Sequence, residues 1–363
     1  MSLKSLLPAL VSILSLTSAT AAFDQSMPRY AHIFVVIEEN HTTDEIIGNP
    51  AAPTFTTLAR MYGFASNFYA IRHPSEPNYI ALVGGDTFGI SDDDAVYCVP
   101  HLKRWGCEKS DRAGYIDHTI AARNLASQLD AAGVSWKGYF EDLPEPGSLT
   151  YRWPSSQKPV RGKPEGLYGA KHNGFVSFKS VQDDLKRREK IVGFDVFEHD
   201  VAAGTLPRFA HIVPNQCNDM HGLHGRDVPA DCTGKNSAGL IRRADRMLGR
   251  IVGKIMNSAQ WKSADNNAIV VTFDENDDDI PSTHANGCCG SNANDPANPG
   301  GGWISTIVIT NHGPRHFTDP TPYNHFSLLR TIEDAFGLPA HVGHAADDSK
   351  GVVSMTPLFA VPR

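Results

Sequence analysis

Short apolar runs rich in β-branched residues recur at Ile33 to Ile37, Val134 to Tyr139, Phe209 to Val213, Ala268 to Phe273 and Ile304 to Thr310. Each is nearly continuous in apolar residues, the pattern of a strand covered on both faces rather than one with a wet side. Between them lie stretches with helical spacing, at Ala121 to Ala132, Val181 to Lys190, Ala238 to Gln260 and Asn324 to Phe336. Strands alternating with helices predict an α/β fold, doubly wound, with a mainly parallel sheet and helices on both faces. A chain of 363 residues can bury a substantial core, and the pattern is read as one domain over residues 23–363.

Ligands in such folds bind beyond the carboxyl ends of the strands. Asn40 follows the first run, Glu141-Asp142 the second, Asn215 the third and Asp274-Glu275 the fourth, so polar groups converge on one edge. Glu39, Asn40, Asp274 and Glu275 are hard oxygen ligands that suit a divalent cation. Such an ion lowers the pKa of an attacking hydroxyl and offsets phosphate charge. Ser75, in His73-Pro-Ser-Glu-Pro-Asn-Tyr79, is set on a proline-bounded turn just before the helix-like Tyr79 to Val83. There it would present its hydroxyl and the amides that follow to an anion. An Asp-Glu pair after a strand is by itself ordinarily a solvated turn, and Pro-Ser-Glu-Pro a rigid loop. Their joint occurrence at strand ends points to a metal-activated serine and a phosphate ester.

Sixteen histidines are present, most of them expected at the surface or satisfied in the core. His73, His172, His221 and His325 stand out because each sits in a polar cluster, among them Lys171-His-Asn173 and Asn218-Asp-Met-His221. An imidazole there would bind phosphate when protonated, or protonate a leaving alcohol.

Composition narrows the class. The formal net charge of -7 counts against binding nucleic acid, which needs a basic face. The locally basic Lys186 to Lys190 and Ile241 to Arg246 read as solvated helix faces. Lys4, the apolar stretch Leu6 to Leu16 and Ala19-Thr-Ala21 have the layout of a secretory signal over residues 1–22. Later apolar runs are shorter than the roughly 18 residues of a spanning helix. The C-terminal Met355 to Arg363 has no lipid-anchor tail. The expected product is secreted, extracellular and without a stable membrane anchor.

Six cysteines suit that destination, with local pairing expected for Cys98 with Cys107 and Cys217 with Cys232, leaving the vicinal Cys288-Cys289. The stretch Ala285 to Gly302 reads as an ordered loop near the polar edge. Asp274 to Asp279 fails as a calcium loop, because Asp279 takes the glycine position and Ala285 that of the closing glutamate. No G-x-S-x-G, H-E-x-x-H or P-loop motif occurs. Asn40-His-Thr42 is formally a glycosylation site, which a metal-ligating Asn40 would leave bare.

The ordered motifs Glu39-Asn40-His41, His73 to Tyr79, Lys171-His-Asn173, Val213 to His221, Thr272 to Glu275 and His325 to Asp334 resemble the phosphoesterase family. This is the family of secreted acid phosphatases and bacterial phospholipases C, within the alkaline phosphatase superfamily. The resemblance runs from about Ala31 to Leu338, and His73 to Tyr79 followed by Val83-Gly-Gly-Asp86 is especially similar to secreted acid phosphatases. It implies one divalent metal held by Glu39, Asn40, Asp274 and Glu275, with Ser75 as ligand and covalent nucleophile. His73, His221 and His325 would assist as catalytic residues, and His172, Asn173 and Asp219 would bind substrate. The expected activity is a metal-dependent phosphomonoesterase working through phosphoserine. The alternatives are a phospholipase C acting on a phospholipid and a catalytically silent phosphate-binding protein.

Overall fold

A computed structural model of the chain describes residues 26–95, 117–154, 166–224, 228–277, 287–292, 294–295 and 298–360. Its strands are β1 (His32–Glu38), β2 (Gly63–Tyr69), β3 (Trp136–Phe140), β4 (Arg152–Trp153), β5 (Tyr168–Gly169), β6 (Ile191–Val192), β7 (Phe209–Val213), β8 (Asn267–Phe273), β9 (Trp303–Thr310), β10 (Phe317–Asp319) and β11 (Tyr323–Asn324). Its α-helices are α1 (Thr43–Ile46), α2 (Pro53–Met61), α3 (Ser75–Gly84), α4 (Leu125–Ala131), α5 (Lys179–Gln182), α6 (Leu185–Arg188), α7 (Phe194–Ala203), α8 (Ser237–Asn257), α9 (His325–Phe336) and α10 (Thr356–Phe359).

Nine strands form the main sheet in the order β10-β2-β9-β8-β1-β7-β3-β6, with β11 also against β2. From β8 through β1, β7 and β3 to β6 every pairing is parallel. The carboxyl ends of β8, β1, β7 and β3 therefore share one edge. β9 runs antiparallel to both β8 and β2, so the sheet is mixed but mainly parallel, as expected. All five apolar runs are strands of it. β2 had no such signal: Gly63-Phe-Ala-Ser-Asn-Phe-Tyr69 is half-buried at several positions and carries polar residues there.

The helices follow the spacing with two corrections. The Val181 to Lys190 stretch divides into α5 and α6, because Asp184 stops the first and caps the second by accepting from the Lys186 and Arg187 amides. α4 starts at Leu125 rather than Ala121, where Asn124 accepts from the Ser127 amide at 3.0 Å. α8 buries Leu240, Ile241, Ala244, Leu248, Ile251 and Ile255 on one stripe. Among the described residues, no helix is long and apolar enough to cross a membrane.

Asp245 of α8 caps a different helix. Its Oδ1 accepts from the amides of Thr54 (2.7 Å) and Phe55 (3.1 Å) at the start of α2, and its Oδ2 from the Thr54 hydroxyl (2.8 Å). Asp245→Ala would strand those buried donors. It is expected to cost about 1–3 kcal/mol, read as a lower urea midpoint at unchanged slope.

α3 is buried along its whole length. It stops at Gly85, whose φ of 74° is left-handed and whose missing side chain admits the Val342 carbonyl. Cys217 is disulfide-bonded to Cys232 and Cys288 to Cys289. Cys98, Cys107 and residues 1–22, where a secretory signal is expected, lie outside the described residues.

Candidate active site

The edge shared by β8, β1, β7 and β3 is cross-linked through its own backbone. Asn40 turns the chain off β1 with a φ of 55°, which asparagine tolerates. There the Glu39 amide donates to the Asp219 carbonyl at 2.8 Å. The Asn40 amide donates to Asp274 Oδ1 at 3.2 Å, and the Glu275 amide to the same oxygen at 2.6 Å. Glu39, Asp219, Asp274 and Glu275 are thereby locked together though they lie far apart in sequence.

Ser75 opens α3 directly over this edge and is 2% exposed. Its Oγ lies 3.2 Å from Glu39 Oε2 and 3.1 Å from Glu275 Oε1. One hydroxyl proton cannot serve two carboxylates at once. Asp274 adds a third buried acid, and its Oδ2 is buried without a hydrogen-bond donor. Burial, then the charges of Glu39 and Glu275, push Asp274 well above the usual carboxylate range. Burial also raises Glu275 to about 7, against the pull of His73. The oxygen-rich donor set of these three buried acids beside a serine fits a hard divalent cation.

Histidines flank the acids on both sides. His73 Nδ1 is 2.7 Å from Glu275 Oε2 and its Nε2 is 2.9 Å from Asn276 Oδ1. Gly302, with φ of 87°, leaves the space that the Asn276 side chain fills. The loop predicted at Ala285 to Gly302 does reach this edge, since the Asn276 amide donates to the Gly301 carbonyl at 3.1 Å.

His172 Nε2 is 2.7 Å from Glu39 Oε1 and its Nδ1 is 3.2 Å from Asp219 Oδ2, with the Tyr79 ring stacked on it. Burial lowers this histidine more than any single neighbour raises it, but the Glu39 charge and the contacts with Asp219 and Glu39 together hold the ring above its ordinary pKa. In turn Glu39, which burial alone would raise, is held well below the carboxylate range by His172 and Lys171.

His221 is placed differently from the expected acid. Its Nδ1 donates to the Gly222 carbonyl at 2.7 Å, which leaves Nε2 to accept from Lys171 Nζ at 2.9 Å. Burial and the Lys171 charge lower it to about 3. It is a neutral acceptor here. Glu39, His172 and His221 nevertheless converge, each offering a ligand atom within 4.8 Å of the others.

Two expected participants do not join the Ser75 cluster. His325, at the start of α9, donates from Nε2 to the Phe273 carbonyl at 2.9 Å, and burial lowers it to about 4. It supports the end of β8 from behind. Asn173 is fully buried and donates to the Tyr168 hydroxyl at 3.1 Å.

The helix-amide anion cradle expected after Ser75 is also absent, because the Glu76 amide donates to Asp93 Oδ1 at 3.0 Å and Pro77 has no N–H. Glu141, Asp142, Asn215 and Asn218 bond to one another and brace the loop after β7.

Three further residues lie close by without any sequence signal. His118 bridges Glu76 Oε1 at 2.8 Å and Asp92 Oδ1 at 3.2 Å. Burial opposes its charge, but those two bonds push it up to about 10. Asp93 accepts from Lys171 Nζ at 2.9 Å. In the sequence these acids are part of Asp92-Asp-Asp94, which reads as an ordinary charged surface run.

A model of the Phosphoesterase family matches residues 49–339. The chain belongs to the Phosphoesterase family. The match holds Ser75, His172, His221, Asp274 and Glu275 and begins after Glu39 and Asn40. This phosphoesterase is 29% identical over 318 residues to a phosphatidylinositol-3-phosphatase of Mycobacterium tuberculosis, covering 86% of the chain and 79% of that protein. It is 26% identical over 297 residues to a phosphate-repressible acid phosphatase of Penicillium chrysogenum, covering 80% of the chain but 56% of that protein. Over 156 residues it is 35% identical to an acid phosphatase of Aspergillus fumigatus, covering 43% of the chain and 29% of that protein. The chain thus spans about half or less of the length of these fungal relatives.

In three dimensions it resembles a protein of the alkaline phosphatase superfamily from Vibrio parahaemolyticus. The TM-score is 0.51 at 12% identity, over 93% of this chain and 73% of that one. The fold is that of the superfamily, and this phosphoesterase is a hydrolase of phosphate ester bonds.

Proposed function

We propose that this phosphoesterase is a secreted, metal-dependent phosphomonoesterase of the acid phosphatase kind, working through a phosphoserine on Ser75. One observation carries the reading: the Ser75 hydroxyl lies between Glu39 and Glu275, beside a buried Asp274, at the ends of two adjacent parallel strands. A divalent cation held by Glu39, Asp274 and Glu275, with Asn40 and Ser75 supplying further oxygens, would acidify the hydroxyl and offset the phosphate charge.

The chain's own groups do the rest. Ser75 Oγ attacks phosphorus and gives its proton to one of the two carboxylates beside it, while the ester oxygen departs as an alcohol after taking a proton. His73, held between Glu275 and Asn276, is placed at the site margin to supply that proton. Water then cleaves the phosphoserine, releasing inorganic phosphate and restoring Ser75. His172 keeps Glu39 ionised and aimed at the serine. The working unit is one domain over residues 23–363, and the layout of residues 1–22 supports secretion.

The Mycobacterium relative, named for a phosphatidylinositol phosphate, favours a lipid-borne monoester as a second substrate. The test is phosphate release from p-nitrophenyl phosphate, phosphatidylinositol 3-phosphate and phosphatidylcholine, before and after chelation. Metal-dependent turnover of the monoesters with phosphatidylcholine left intact is the expected result. Preference for phosphatidylcholine would move the protein to the phospholipase C branch. No turnover of any ester with metal supplied would leave the silent phosphate-binding role.

A further inference from the structure

Transfer of a phosphoryl group needs donors fixed on its oxygens, and most groups around Ser75 are already committed. The Glu76 amide in the first turn of α3 is taken by Asp93, and the next residue is proline. His73 has its two nitrogens against Glu275 and Asn276, and His172 has its two against Glu39 and Asp219. His221 is neutral, with its lone pair on Lys171 and its N–H on the Gly222 carbonyl.

Lys171 is the exception. The residue is 3% exposed and its ammonium carries three N–H groups. Among the described residues it meets two acceptors, Asp93 Oδ2 and His221 Nε2, each at 2.9 Å, which leaves one N–H. The His221 ring it touches converges with the Glu39 carboxylate, whose Oε2 is 3.2 Å from Ser75 Oγ. Asp93 also holds the Glu76 amide at 3.0 Å, so one carboxylate ties the lysine to the first turn of the helix that carries the serine. A buried ion pair alone would not need the second, neutral partner. The imidazole at Nζ fixes the direction of the remaining N–H.

We propose that Lys171 is a further substrate-contacting residue, donating its third N–H to a phosphoryl oxygen, with Asp93 and His221 as its positioning residues. This rests on Ser75 being the reacting centre.

Inorganic phosphate is the probe, measured on the full chain with divalent metal by competitive inhibition of p-nitrophenyl phosphate turnover and by calorimetry. Lys171→Met is expected to weaken phosphate binding about 10- to 100-fold, the span of one charge-assisted hydrogen bond, and to lower kcat/KM in parallel. Lys171→Arg keeps the charge and is expected to retain most of the affinity.

Because Lys171→Met leaves Asp93 buried without its cation, the double variant Lys171→Met/Asp93→Asn is measured beside it. Wild-type thermal stability with the phosphate defect intact supports the contact. Recovery of phosphate affinity in the double variant would mean that Lys171 only neutralises Asp93, and overturns it. So does a Lys171→Met protein that binds phosphate as the wild type does. An active Ser75→Ala protein sinks the underlying reading instead, whatever Lys171 does.

Discussion

Ser75→Ala is expected to lower the rate of phosphate release by about 1,000-fold or more while leaving the fold intact and inorganic phosphate binding within a few-fold of wild type. The physical reason is local. Among the described residues the Ser75 hydroxyl is the nucleophile that lies between Glu39 and Glu275, and removing one oxygen from a buried helix start opens very little space. The acids and Lys171 that surround a bound phosphate stay where they are. Steady-state turnover of p-nitrophenyl phosphate together with a phosphate titration of the variant separates the two roles. A variant that still turns over at near the wild-type rate would remove Ser75 as nucleophile. A variant that loses turnover and phosphate binding together, with normal melting, would make it a binding residue first.

Stability of the metal-free protein is expected to stay nearly level from about pH 4.5 to 6.5 and then to fall toward pH 8. Asp274 and Glu38 are raised well above their ordinary values by burial and neighbouring acids. Burial raises Glu275 and Glu76 to about 7. A carboxyl whose folded pKa is raised contributes stability that is complete below its unfolded value and is lost as pH rises through the folded one. Below the ordinary histidine range an opposite trend compensates. Burial lowers His211 and His221 to about 3 and His325 to about 4, so the unfolded chain gives up these protons as pH climbs to about 6.5, which favours the native state.

Above that point the raised acids remain in play, joined by His118, pushed up to about 10, and by His172, held above its ordinary value, each group costing up to about 1.4 kcal/mol per pH unit while it stays protonated in the native state. A divalent cation takes the deprotonated carboxylates. Added metal is therefore expected to raise the melting temperature more at pH 8 than at pH 5.5, by the equivalent of about 2.7 kcal/mol at a hundredfold excess over Kd. Differential scanning calorimetry with and without chelator reads both trends. Equal melting at pH 6.5 and 8, untouched by metal, would show that these acids hold no cation.

Much of this arrangement is legible in the chain because it rests on local patterns. Strand runs covered on both faces announce themselves as apolar stretches, and in a parallel sheet the residue just past each run is placed on a known edge. Hence Glu39, Ser75, Asp274 and Glu275 were expected together, and the structure brings the oxygens of Glu39 and Glu275 to within 3.2 Å of the serine. β2 was hidden because an edge-side strand need not be apolar on both faces.

The roles of individual polar groups were decided elsewhere. Whether His221 donates or accepts depends on a carbonyl one residue on and a lysine fifty residues back. Whether the amide after Ser75 is open to an anion depends on Asp93, seventeen residues away. His325 looks like its fellow histidines in sequence, yet packing turns it to the Phe273 carbonyl. By itself the sequence determined the fold class, the edge and the residue types gathered there, since those follow from hydrophobic period and strand direction. Only the tertiary structure decided which hydrogen-bond partner each buried group meets, and so which atoms are charged, because a proton's place depends on neighbours that the chain brings close only by folding.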